Sequence, residues 1–137
     1  MGKLKAPSQV KVTSGKNPVE APNSVLKEEL RFRFNLIDVD GPWCLSLVGP
    51  NEHRALLKKL KDFEKMTVGE VFKGEPGKDY DFVTNPEANK RLIELIGTTE
   101  VSRLRVSDKG RIYGVRENNT FSILWWDPKH EIYPSQK

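Results

Sequence analysis

Three side chains able to move protons, His130, Glu131 and Tyr133, lie within four residues of one another near the C-terminal end of the chain. Residues 103–137 hold seven basic side chains against four acidic ones, Glu131 included, a local cationic excess. Arg103 and Arg105 have the same parity, so on a strand both leave one face. Arg111 follows the turn Ser107-Asp108-Lys109-Gly110 and returns towards that face if the hairpin pairs normally. RNA cleavage by attack of a 2′-hydroxyl needs a proton acceptor, a proton donor for the leaving 5′-oxygen, and cations around the pentacoordinate phosphate. Two or three arginines with a histidine and a tyrosine supply that set without a metal or cofactor. The same residues have a plainer use: arginines on an exposed sheet face pair with acids, and a tyrosine packs its ring.

Other chemistry has less support. The sequence has no phosphate-binding Gly-rich loop, no HExxH and no GxSxG. His53 stands among polar residues near an expected helix start, where a surface role is expected. Cys44, the single cysteine, cannot form an internal disulfide; in its apolar surroundings a small buried hydrophobe is the expectation. One cysteine fits a reducing cytoplasm. No apolar run is long enough for a membrane span or a secretory signal. The net charge of +4 equals the four lysines of residues 1–16, so the rest of the chain is neutral overall and any nucleic-acid contact must come from local clustering.

These residues need elements to hold them. Residues 1–26, rich in Lys, Pro, Ser and Asn, are expected to form a disordered basic tail, and 27–137 one domain. Leu30, Phe32, Phe34 and Leu36 alternate with polar residues as on a half-buried strand. Residues 43–48 are expected as the return strand of a hairpin after Asp38-Val39-Asp40-Gly41-Pro42. Leu56, Leu57, Leu60 and Phe63 have helical spacing after an expected cap at Asn51. Its lysines 58, 59 and 61 are read as a solvated face. Thr67-Val68-Gly69-Glu70 fits a capping box. Residues 73–84 read as a loop, and Asn85-Pro86-Glu87 opens a helix that Gly97 stops. Val101–Val106, Arg111–Arg116 and Thr120–Trp126 are expected as three antiparallel strands. The fold class is α+β: an N-terminal hairpin and a C-terminal meander packed on two or three helices.

The run from Val101 to Arg116, followed by Phe121-Ser-Ile-Leu-Trp-Trp-Asp-Pro-Lys-His-Glu-Ile-Tyr, resembles the end of RelE/ParE-type toxins. Those end in an "RLRxxxxRxxYxV"-like hairpin, an apolar strand and a basic or His-containing segment leading to a Tyr. The likeness covers residues 101–134. The hairpin expected at 30–48, where that family has one strand, departs from the pattern, as do the Trp-Trp-Asp-Pro segment and the tail. The resemblance implies a metal-independent, ribosome-associated messenger-RNA endonuclease of a toxin–antitoxin system, with RNA and a small antitoxin protein as partners. It implies Arg111 as the phosphate-stabilising arginine, Lys129 or His130 as the late basic catalytic residue, and Tyr133 as the terminal tyrosine. Arg103 and Arg105 would lie on the RNA face, with Lys109 and Lys129 as further RNA contacts. Two other readings stay open: a non-catalytic member, either gyrase-directed or a degenerate relative, and a binding or accessory protein of unrelated α+β fold.

Overall fold

The computed structural model describes residues 23–74 and 76–133. Its helices are α1 (Asn23–Leu26), α2 (Pro50–Phe63), α3 (Val68–Phe72) and α4 (Pro86–Ile96). Its strands are β1 (Arg31–Arg33), β2 (Gly77–Tyr80), β3 (Val101–Arg105), β4 (Arg111–Glu117) and β5 (Thr120–Asp127). They form one sheet in the order β1-β5-β4-β3-β2. Every pairing is antiparallel except that of β1 with β5. The fold is α+β, and its last three strands form the expected meander. No helix among the described residues is long and apolar enough to cross a membrane.

Local chemistry sets the element ends. The Asn85 side chain accepts from Glu87 N and Ala88 N, Pro86 takes the first helical position of α4, and Gly97 ends it at φ 76°. At α3, Thr67 Oγ1 accepts from Glu70 N and Glu70 Oε1 accepts from Thr67 N. Helix α2 begins before the expected cap at Asn51. Pro50 suits the first position, and Glu52 accepts from Gly49 N. The β4–β5 turn uses Asn118 at φ 55°, a conformation asparagine tolerates better than most residues.

The sheet is covered on both sides. On one, Leu56, Phe63, Val68 and Val71 pack with Leu104, Ile112, Phe121, Ile123 and Trp126. On the other, Ala88 and Leu92 of α4 pack with Val101, Tyr113, Leu124 and Trp125. Strand β5, lying between β1 and β4, is buried on both faces, which explains its apolar run from Ile123 to Trp126. The β4–β5 register shifts between Tyr113 and Gly114, pairing Tyr113 with Trp125 and Gly114 with Ile123. The shift gives β5 one extra residue, so the consecutive Leu124 and Trp125 both face α4.

Three expectations give way. The N-terminal hairpin is absent: β1 pairs in parallel with β5, and residues 43–48 contain a 3₁₀ turn at Leu45–Leu47 instead of a strand. The intervening loop also runs along β5, where Asp38 N donates to Leu124 O and Trp126 N to Trp43 O. Asp38 holds it there, accepting from Asp40 N, Gly41 N, Arg91 and Trp125 Nε1. Those donors fix an irregular path that a two-stranded ribbon would not provide. Second, the expected loop 73–84 contains strand β2, which pairs with β3 although it carries turn-forming residues. Third, the tail boundary at 26 falls inside the folded part. Asn23–Leu26 is helical and Val25 joins the core, while residues 1–22 lie outside the described residues.

Candidate functional site

The α4-facing side of β3 and β4 carries an unusual row at one sheet end. Arg103 stands opposite Tyr113, Arg105 opposite Arg111, and Arg111 opposite Asp127 of β5. Beyond Asp127 the chain turns back over this row. The buried Asp127 carboxylate accepts from Glu131 N at 3.1 Å and Ile132 N at 2.8 Å. Asn85 N donates to Ile132 O, and Trp43 Nε1 donates to Glu131 Oε2 at 3.0 Å. The turn puts His130 at φ 57°, a conformation costing of order 1 kcal/mol for a residue with a side chain. The four polar ties and the buried Ile132 hold it there.

His130 Nε2 then lies 3.3 Å from Arg103 Nη1. Arginine has no acceptor, so the ring nitrogen accepts, which leaves the imidazole proton on Nδ1. Burial lowers the His130 pKa below 6.5, and the charges of Arg111 and Arg103 lower it further; Asp127 and a hydrogen bond with the Tyr133 backbone oppose them. The neutral imidazole therefore dominates at pH 7. The Arg103 guanidinium also lies 5.2 Å from the centroid of the Tyr80 ring, on which Tyr133 stacks with centroids 4.4 Å apart. Tyr80, raised mainly by burial, keeps its hydroxyl proton. So does the wholly buried Tyr113, for the same reason.

The structure thus brings together Arg103, Arg111, His130 and Tyr133 at one sheet end, but not as equals. Arg111 is only 5% exposed, and its Nη1 donates to Ser107 O, Asp108 O and Gly110 O at 2.9–3.2 Å. It ties the β3–β4 turn together and adds charge beneath Arg103. Burial and the charges of Arg103 and Arg105 lower its pKa, yet an arginine so shifted remains charged at neutral pH. Arg105, Lys109 and Lys129 are exposed around it. Cys44 is buried with its sulfur 3.0 Å from Ser46 Oγ, and His53 is exposed on α2. Arg116 turns to the opposite face, paired with Asp79 at 2.6 Å and lying over Phe72.

Sequence reasoning missed Tyr80, Tyr113 and Asp127. Tyr113 shares the parity of Arg111, so strand alternation alone signalled it. Tyr80 lay in a stretch read as loop, and nothing local marks Asp127 as the cap of the last turn. Buried polar atoms gather here too: Arg103 Nε, Arg111 Nε and the Tyr113 hydroxyl lie out of solvent with no partner in hydrogen-bond geometry among the described residues. Compared with family models, curated proteins and solved structures, the chain matches none.

Proposed function

We propose that the protein is a metal-independent endoribonuclease of the RelE type, acting on messenger RNA. The observation that carries this reading is the neutral His130 imidazole held 3.3 Å from the Arg103 guanidinium on a cationic sheet end. In this reading Arg103 turns from His130 to the scissile phosphate. His130 Nε2 takes the proton of the 2′-hydroxyl as the bond from O2′ to phosphorus forms. The bond from phosphorus to O5′ breaks, and O5′ receives a proton from the Tyr133 hydroxyl. The products are a 2′,3′-cyclic phosphate and a 5′-hydroxyl. Arg111 acts from behind, adding to the positive field that stabilises the pentacoordinate phosphate. Phosphate contact, which the resemblance assigned to Arg111, passes to Arg103, the less buried of the two. The lone β1 also supports the reading, since the hairpin that departed from the family pattern is absent.

A non-catalytic relative is the second reading, favoured by the spending of Arg111 on backbone carbonyls and of the Tyr133 ring on Tyr80. Induced expression separates the two. The ribonuclease reading expects growth arrest with messages cut on ribosomes, and cleavage reduced about 10²–10³-fold by Arg103→Ala. His130→Ala should reduce it comparably. Arrest with intact messages and inhibited gyrase supports the gyrase-directed relative. Harmless expression with intact messages sinks both toxin readings in favour of an accessory protein.

A further inference from the structure

At the corner where β2 and β3 meet α2, a shallow groove is lined by Lys59, Pro76, Arg105, Val106 and Ser107. Its floor is tied by the hydrogen bond from Arg105 N to Pro76 O. The Lys59 ammonium lies 5.8 Å from the centroid of the buried Phe63 ring, and no carboxylate among the described residues pairs with it. The Arg105 side chain is 56% exposed; its carboxylate neighbour, Asp108, lies 4.0 Å away and is 93% exposed. Such a pair contributes little in water. The other two ion pairs among the described residues, Asp38–Arg91 and Asp79–Arg116, involve neither cation. Among the described residues, two cations therefore face one groove without effective counter-charge.

The groove continues the site. Arg105 follows Arg103 by two residues on the same strand face, a step of roughly 6.5 Å. From there the surface turns the sheet corner to α2, on the face opposite His130. A duplex is stiff over many tens of base pairs, and bending it is costly. A single strand follows such a corner readily. We propose that Lys59 and Arg105 form a second phosphate station, so that the protein binds single-stranded RNA along consecutive phosphodiesters from His130 round the sheet corner to α2. This deepens the ribonuclease reading by naming its substrate class, and it rests on that reading only for what happens to the strand once bound.

The test is binding of a short 2′-O-methyl RNA oligonucleotide, which cannot be cleaved by 2′-hydroxyl attack, followed by fluorescence anisotropy across a salt series with the full-length chain. The N-terminal lysines contribute equally to every variant, so differences in slope isolate the groove. Lys59→Gln and Arg105→Gln should each weaken binding several-fold and reduce the salt slope by roughly 0.7, the value for one lost phosphate contact on a single strand. Lys90→Gln, an exposed lysine on α4, should leave the slope unchanged. A dinucleoside monophosphate, too short to reach α2, should bind wild type and Lys59→Gln alike. Slopes unchanged in both groove variants overturn the proposal whether or not the protein cuts RNA. So does displacement of polyglutamate, but not of RNA, by the substitutions, which would make the groove a seat for an acidic polypeptide. Slopes reduced as expected, with no cleavage of ordinary RNA by wild type, uphold the station and sink the ribonuclease reading alone.

Discussion

Arg103 and Arg111 sit close enough to His130 to shape its titration. Both charges, together with burial, disfavour the imidazolium, so its pKa lies below 6.5. Arg103→Gln removes one repulsive charge while keeping a polar side chain, and the His130 pKa should rise towards 6.5. An NMR titration of the His130 ring protons checks this without any assay of activity. A wild-type midpoint at or above 6.5, or one unmoved by the substitution, contradicts the arrangement. The sign carries over to stability. Between the folded-state pKa and 6.5 the unfolded chain binds more protons at this residue, so its contribution to stability is lost as pH falls through that window. Arg111 is a different case: with three carbonyls on Nη1 it belongs to the turn as much as to the site. A substitution there tests packing and chemistry together, whereas the more open Arg103 tests chemistry more directly.

At the scale of elements, the irregular segment between β1 and α2 depends on Asp38. Its carboxylate is almost wholly buried, accepting two hydrogen bonds from Arg91 of α4 and one from Trp125 of β5. The hydrogen bond from Arg91 is the largest cause lowering its pKa from 3.8 to about 2, against the opposing effect of burial. The stability this represents is present above about pH 4 and is lost as pH falls through about 2. Asp38→Ala leaves the Trp125 indole N–H and the Arg91 guanidinium without their acceptor. The expected cost is about 3–5 kcal/mol, the range for breaking a buried pair from one side. Urea unfolding at pH 7 measures it, and a loss below 1 kcal/mol would show that the segment stays in place by packing alone. The variant should also lose less stability than wild type between pH 4 and pH 2, because the group that titrates there has gone.

At the scale of the whole molecule, the folded body reaches back to α1. Val25 is in the core and Leu26 packs against it. Burial of one such side chain is worth about 1.5–3 kcal/mol. Removing residues 1–26 should therefore lower the melting temperature by several degrees relative to removing 1–22. Equal melting temperatures for the two deletions would mean that α1 adds nothing. The sequence alone determined the elements whose signals are local. The meander follows from alternation and turn residues, and α4 from Asn85, Pro86 and Gly97. Arg103 and Arg105 share a face by parity. Pairing between distant segments was not legible there, because a strand's partner is chosen by which edge it covers and what it buries. Phe32 alternates like one arm of a hairpin, yet β1 lies parallel to β5, with Phe32 beside Phe121 in register. Gly77–Tyr80 carries weak strand residues and becomes a strand because β3 presents an open edge. The candidate site was half visible for the same reason. Residue types pointed to Arg111, His130 and Tyr133, but their exposure and order of approach were set by tertiary contacts. Asp127 folds the last turn back over β3 and β4, and in doing so it brings His130 onto Arg103 while Arg111 stays buried in the turn it ties together.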